Sequence, residues 1–261
     1  ENFKSFSPLI CFAVKSNTNV NLIREIKKFG LGADVVSLGE LMIALKSGIK
    51  PNKIVFSGVG KTDLEISRAI EHKILQFNIE SHQEFLIIEQ LAREKKIKAN
   101  IAIRINPDIE AGGHPKISTG KKTDKFGVSS DEAIKIYISA KNSPYLNIVG
   151  VDMHIGSQIL QMKPFKNSFK KIEKFCKELE KNKIKIKHID VGGGLGINYS
   201  SKKIKDITKE YTNLVKDIAL RTKKKIIIEP GRFIVANAGI LVTKILYKKS
   251  NEEKKFIIVD A

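Results

Sequence analysis

Ile10-Cys11-Phe12-Ala13-Val14-Lys15-Ser16-Asn17 decides how the rest of the chain is read. It is a short apolar run, rich in β-formers, that ends abruptly at a lysine followed by Ser-Asn. Such a run, bounded by polar residues, reads as a buried parallel strand delivering its last side chain to a loop. In a (β/α)8 barrel, catalytic groups sit at the carboxyl ends of the strands. A lysine held there among apolar neighbours has its ammonium disfavoured and its amine made available, as Schiff-base chemistry requires. The plainer reading is a strand-end lysine reaching water, in a chain with 47 Lys and Arg residues. The stretch alone does not choose between them.

The flanking pattern repeats. Leu22, Ile23, Ile26 and Phe29 share one face of a predicted helix near Asn21–Phe29, Gly32–Ser37 reads as a second strand and Glu40–Lys46 as its helix. Further strands are predicted at about 53–57, 74–78, 100–105, 146–153, 187–191 and 225–229. The amphipathic stretches between them are Asp63–Glu71, His82–Lys95, Asp131–Lys141, Pro164–Lys181 and Lys205–Arg221. With Ile10–Val14 this makes eight strands alternating with helices, so the expected fold is α/β, a closed (β/α)8 TIM barrel over residues 1–236. Beyond it, Ile240–Tyr247 and Phe256–Asp260 flank the charged turn Lys248–Lys255 with no helix between. That pattern predicts antiparallel pairing and the start of an all-β domain over 237–261. Asn106–Phe126 is the one long irregular piece, a feature associated with function.

Composition narrows the class. At 261 residues with 42% hydrophobic residues, one large domain can bury a full core. No run reaches the roughly 18–20 apolar residues of a membrane span, and Glu1-Asn2-Phe3 opens no signal peptide. Glu1 is not an initiator methionine, consistent with a start lying upstream. Two cysteines, Cys11 and Cys176, make no disulfide framework and fit a reducing cytoplasm. The net charge of +19 raises a nucleic-acid partner. The lysines, however, are spread along helices such as Lys163–Lys187, without arginine clusters or interleaved aromatics, so solvated helix faces account for the charge.

Three strand ends carry chemistry. Asp190-Val191-Gly192-Gly193-Gly194-Leu195-Gly196 closes the seventh strand, where barrels commonly bind phosphate and where consecutive glycines let backbone N–H groups approach it. A tight turn alone would also need glycines. Ile197 rules out the dinucleotide fingerprint, and Val55 rules out a Walker loop at Ser57–Thr62. Ile228-Glu229-Pro230-Gly231-Arg232 ends the eighth strand. Its carboxylate and guanidinium can pair with each other, or divide between a protonated ring nitrogen and a carboxylate or phosphate. His154, in Asp152-Met153-His154-Ile155-Gly156-Ser157-Gln158, ends the sixth strand before a small flexible loop, whereas His72, His82 and His188 read as structural or exposed.

Together these segments resemble the fold-type III decarboxylases that use pyridoxal 5'-phosphate. The matching segments, in the family's order, are Phe12–Asn17, Gly32–Ser37, Arg104–Pro107, Ile117–Gly120, Lys125–Gly127, His154–Gln158, Gly192–Gly196 and Glu229–Arg232. The resemblance implies that Lys15 carries the cofactor and that His154 stacks on its ring. It places Ser157, Gly193, Gly194 and Gly231, with Pro230 beside them, around the phosphate. Glu229 would hold the pyridinium proton, and Arg232 would bind a substrate carboxylate or the phosphate. Asp34 and Arg104 match positions beside the lysine.

The wording of Ile117–Gly120 and His154–Gln158 is most similar to the branch acting on meso-2,6-diaminopimelate, which implies L-lysine and carbon dioxide as products. Ornithine, arginine or carboxynorspermidine decarboxylases of the same fold are alternatives, as is a non-catalytic homologue that carries the cofactor or binds a partner. Intact Lys15, His154 and Glu229 argue against the last, and the strong electron sink made by Glu229 argues against an alanine racemase. The resemblance further implies a cytoplasmic homodimer acting on a small amino acid, with no metal, nucleic acid or membrane. It also implies a C-terminal β-domain, mostly absent from these residues, that supplies a cysteine, a carboxylate loop and a tyrosine to a shared site.

Overall fold

The computed structural model describes residues 3, 6–110, 119–120, 124–199 and 206–261. Ile117 and Ser118 of the family-like segment Ile117–Gly120, and the start of the predicted helix at Lys205, lie outside them. Eight parallel strands close into a barrel: β1 (Leu9–Ala13), β2 (Gly32–Val35), β3 (Ile54–Phe56), β4 (Gln76–Ile79), β5 (Ala99–Arg104), β6 (Leu146–Asp152), β7 (His188–Asp190) and β8 (Lys225–Ile228), with β8 pairing back onto β1. The helices between them are α1 (Val20–Lys28), α2 (Leu38–Lys46), α3 (Asp63–Glu71), α4 (His82–Lys95), α5 (Ser130–Lys141), α6 (Met162–Lys181) and α7 (Thr208–Thr222), and the short α8 (Arg232–Val235) follows β8.

The helix starts follow from their caps. Asn19, Ser37, Thr62, Ser81 and Ser129 each accept a backbone N–H of the first turn, and Thr62 with Glu65 forms a reciprocal capping box. In α6, Phe165, Phe169, Ile172, Cys176 and Leu179 fall on one buried stripe, the spacing that seats a helix on a sheet.

Side-chain parity decides what faces the lumen, because successive strand residues point to opposite faces. Phe12, Ala33, Phe56, Phe77, Ile103, Val151, Ile189 and Ile228 belong to the main core between barrel and helices. Cys11, Val55 and Ile227 form a separate apolar cluster. The alternate polar residues point inward above it: Asn78 Nδ2 on β4 reaches Glu229 Oε1, just past β8, at 3.4 Å, a contact that crosses the lumen. Glycines make room for this filling. A Cβ on Gly32 would lie 2.1 Å from the Lys53 carbonyl oxygen, and one on Gly150 would lie 3.1 Å from the His188 carbonyl oxygen and 3.2 Å from Gln76 Oε1.

Two boundaries differ from the sequence expectation. β1 stops at Ala13, and Val14–Ser16 form one 3-10 turn, closed by Asn17 N to Val14 O at 2.9 Å and Ser16 Oγ to Ala13 O at 2.7 Å. Lys15 therefore leaves the strand end on a tight turn. The antiparallel pair is present, but its strands are β9 (Ile245–Ser250) and β10 (Lys255–Val259) rather than Ile240–Tyr247 and Phe256–Asp260. The turn is set by Asn251, whose Oδ1 accepts from Glu253 N and Lys254 N, so Lys248 and Lys249 are drawn into the strand. Among the described residues, no helix is long and apolar enough to cross a membrane.

Candidate active site

At the carboxyl end of the barrel a cleft of about 940 Å³ is lined by Lys15, His154, Ser157, Gly194, Glu229, Gly231 and Arg232 among others. Seven of the residues singled out from sequence thus meet in one cavity. Asp34, Arg104, Gly193 and Pro230 stand behind it.

Lys15 Nζ donates to Asp34 Oδ2 at 2.7 Å; the lysine side chain is half-exposed and the carboxylate fully buried. Burial pushes the Lys15 ammonium toward losing its proton, but the Asp34 carboxylate, with Glu229 nearby, outweighs it and holds the ammonium above its ordinary range. The expectation of a free amine set by apolar neighbours is therefore corrected. Ala13, the last residue of β1, is the register partner of Asp34 on β2, which sets the aspartate beside the turn that carries Lys15, and the two side chains form an ion pair.

His154 is fixed from its backbone side. Its Nδ1 accepts the Gly193 N–H at 3.0 Å, which leaves the proton on Nε2 in the neutral ring. Burial, with Arg104 and Lys15 nearby, pushes its pKa well below the usual histidine range, so the ring is uncharged at neutral pH. The glycine loop is built around this contact. At Gly192, φ is +66° and a Cβ would lie 2.7 Å from His154 Nδ1; at Gly193 it would lie 2.0 Å from the Glu229 carbonyl oxygen. The Gly193 N–H is thus committed to the histidine. Gly193 and Pro230 line a small apolar cavity of about 160 Å³ underneath the loop rather than the cleft.

The loops after β6 and β7 are joined edge to edge. Ile159 N donates to Gly194 O at 2.9 Å and Gly196 N to Ile159 O at 3.0 Å. The Gln158 amide closes the clamp, accepting Ile197 N at 3.0 Å and donating to the Ile197 carbonyl. Pro230 O accepts Ala13 N at 3.2 Å, tying the end of β8 to the strand that carries Lys15.

Glu229 is buried, and no ion pair joins it to Arg232 among the described residues. Instead, carboxyl oxygens of Asp152, Asp190 and Glu229, from the ends of β6, β7 and β8, all lie within 4.8 Å of one another. Burial, with Asp190, Asp34 and Asp152 nearby, pushes Glu229 well above the usual carboxylate range; burial, with Asp34 nearby, pushes Asp190 up to about 6 against the hydrogen bonds it shares with Gly192 N and Glu229. Arg104 lies beyond the cluster, donating Nη1 to Glu80 Oε1 at 2.9 Å, with Nε 3.8 Å from Asp152 Oδ2. Lys61, in the rejected Walker-like segment, is structural: its buried ammonium bonds Glu84 Oε1 at 2.6 Å and the Gly58 and Asn78 carbonyls at 2.8 Å.

Asp152, Asp190, Asn78 and Glu80 were not singled out from sequence. Their signal is parity: each is an inward position at or near a strand's carboxyl end, alternating with apolar outward residues. Asp152 and Asp190 even stood inside quoted motifs, but a run taken as uniformly apolar hides which face its polar residues occupy.

Known proteins place this geometry. A chain named diaminopimelate decarboxylase from Helicobacter pylori strain J99 is 46% identical over 264 residues, covering all of this chain and 64% of its own length. Its namesake from Aquifex aeolicus strain VF5 is 45% identical over 253 residues, covering 97% of this chain and 60% of its own. The present chain thus spans somewhat under two thirds of these relatives. A crystal structure of the Helicobacter pylori enzyme, an I148L mutant complexed with L-lysine, superposes with a TM-score of 0.92 at 44% identity, covering all of this chain and 66% of that one. The family described as pyridoxal-dependent decarboxylase, pyridoxal binding domain, matches residues 2–236. With its lysine, histidine, glycine loop and buried carboxylate meeting in one cleft of a closed barrel, the chain belongs to the pyridoxal-dependent decarboxylases, as their pyridoxal-binding domain.

Proposed function

We propose that this barrel is the cofactor-binding part of a decarboxylase that converts meso-2,6-diaminopimelate to L-lysine and carbon dioxide. The observation that carries the reading is the placement of Lys15, half-exposed on the cleft wall, in one cavity with His154, the glycine loop and the buried Glu229. The relatives' name and the lysine in a neighbour's structure support the choice of substrate.

The donor set fits pyridoxal phosphate. Lys15 would hold the cofactor through its amine, with Asp34 beside it to take the ammonium's extra proton. His154, neutral and locked through Nδ1, offers a flat ring face in the cleft. Gly194 and Gly231 let the backbone approach a phosphate: a Cβ would lie 2.2 Å from the Gly156 carbonyl oxygen at Gly194 and 3.0 Å from Ala13 Cβ at Gly231. Ser157 adds a hydroxyl, and exposed Arg232 a guanidinium for phosphate or substrate carboxylate. Glu229 would hold the ring nitrogen through a carboxyl oxygen, its negative charge balancing a protonated ring. When bound, the cofactor supplies the electron sink that makes loss of carbon dioxide feasible. Homodimeric assembly and a cytoplasmic location are part of the same reading.

The test is an assay of the full-length protein on meso-diaminopimelate, ornithine and arginine side by side, with borohydride reduction to mark the cofactor-bearing lysine. Turnover of meso-diaminopimelate well above the other two, with label on Lys15, is expected. Label on Lys61 or Lys125, or a preference for ornithine, overturns the reading.

A further inference from the structure

Within the segment 106–127, the described residues from Asn106 onward leave the top of β5, and those up to Gly127 run back beside it. Asn106 N donates to Val128 O at 2.8 Å, Val128 N to Arg104 O at 2.9 Å, and Asn106 Nδ2 to Phe126 O at 3.0 Å. Gly127 occupies the tightest point of the return: φ is +68°, and a Cβ would lie 2.9 Å from the Arg104 carbonyl oxygen. Its N–H points away from this ladder, to Glu80 Oε2 at 3.1 Å.

Glu80 collects three donors from three parts of the chain. Besides Gly127 N, its Oε1 accepts Arg104 Nη1 at 2.9 Å and Gly58 N at 2.9 Å. The residue is 5% exposed and Arg104 6%. The carboxylate rests on a firm support, since Glu80 N donates to Glu84 Oε2 at 2.9 Å and Glu84 holds the buried Lys61. On its other faces, the Arg104 guanidinium lies 4.9 Å over the Phe126 ring and 3.8 Å from Asp152. None of the steps ascribed to the cleft uses Glu80.

We propose that Glu80 is a positioning residue: through one carboxylate it sets both the Arg104 guanidinium and the return stem of segment 106–127, so that the two are placed jointly beside the cofactor cleft. Both oxygens are needed. A glutamine has one acceptor oxygen, and its NH2 faces a donor wherever the second oxygen stood. Without the carboxylate, Arg104 turns to Asp152 and leaves the Phe126 ring, while the half-buried Gly127 N–H loses its acceptor. The hydrogen bonds stand independently of the pyridoxal-phosphate reading; the functional consequence rests on it.

The test compares the wild-type chain with Glu80→Gln, Glu80→Ala, Arg104→Met and the Glu80→Gln/Arg104→Met double variant. Amide exchange is followed first without cofactor, and pyridoxal phosphate affinity is then measured from its visible absorbance. Expected is exchange at Gly127 faster by roughly tenfold or more in both Glu80 variants, the scale of one lost buried hydrogen bond. The Ile105 amide, bonded to Asp152 O, should hold its protection. Cofactor affinity should fall several-fold in the Glu80 variants, with the double variant no worse than the Arg104 variant alone, as for residues acting through one another. Unchanged exchange at Gly127 overturns the proposal. So does equal acceleration at every core amide, which would mean general loss of stability, or unaltered cofactor affinity beside a loosened stem. If even the wild-type chain fails to take up cofactor, the functional reading fails, while the exchange data still judge Glu80.

Discussion

At the residue scale, the site is governed by which groups hold protons. Lys15 begins as an ammonium because Asp34 sits 2.7 Å away in full burial. Removing that charge in Asp34→Asn takes away the leading influence that favours the ammonium. Cofactor capture by Asp34→Asn, followed as the visible band against pH, is therefore expected to begin at lower pH than in the wild type. A midpoint unmoved or shifted upward would mean that Asp34 does not set the lysine's charge. Glu229 is the converse case, an acid whose proton affinity is raised by burial and by Asp190 and Asp152 nearby. Glu229→Gln preserves size and a hydrogen-bond donor but cannot become an anion when the ring nitrogen is protonated. Decarboxylation should drop by about 10² or more, the scale of one lost electrostatic stabiliser, while cofactor binding survives; steady-state rates beside absorbance titration separate the two.

At the element scale, the glycine loop after β7 is held by the loop before α6 and by the end of β8, and its glycines are sites of contact as much as of flexibility. Gly193 faces the Glu229 carbonyl oxygen so closely that a Cβ would lie 2.0 Å from it, and both neighbours are backbone atoms of strand ends. No side-chain rotation can relieve that overlap. Gly193→Ala is expected to displace the β7 loop from β8, break the Gly193 N to His154 Nδ1 bond, and lower stability by roughly 1–3 kcal/mol, the range for overpacking a closed interior. A melting temperature within a degree of wild type would show that the loop yields freely.

For the whole molecule, the barrel's polar upper layer sets a pH dependence that its surface charge does not. Asp190, Asp152 and Glu229 all bind protons more tightly folded than unfolded. Between the ordinary carboxylate pKa and the raised folded values the native state holds more protons, so stability falls as pH rises through that window. For Asp190 the window runs from about 4 to about 6. The cofactor-free chain should accordingly be more stable near pH 5 than near pH 7.5. Asp190→Asn should flatten part of that slope and raise stability at neutral pH, on the order of 2 kcal/mol for a shift of this size. Chemical denaturation at the two pH values checks it, and a slope of opposite sign would show that the layer is not protonated.

Much of this architecture is written locally. Apolar runs of strand length, capped amphipathic helices and their regular alternation specify eight β/α units, and eight such units in this length close into a barrel because each strand must bury both faces. The strand-end motifs at Lys15, His154, Gly192–Gly196 and Glu229 were legible for the same reason, since barrels carry chemistry where strands stop. The Asn251 turn was missed because side-chain-to-backbone hydrogen bonds, rather than hydropathy, fix where β9 ends. What only the tertiary structure decided is who meets whom across the lumen. Asp34 drew Lys15 into an ion pair, burial with Asp190 and Asp152 raised the proton affinity of Glu229, and Glu80 gathered Gly58, Arg104 and Gly127 from far along the chain. Charge states depend on distances and burial between residues remote in sequence, and those distances exist only once the eighth strand has closed on the first.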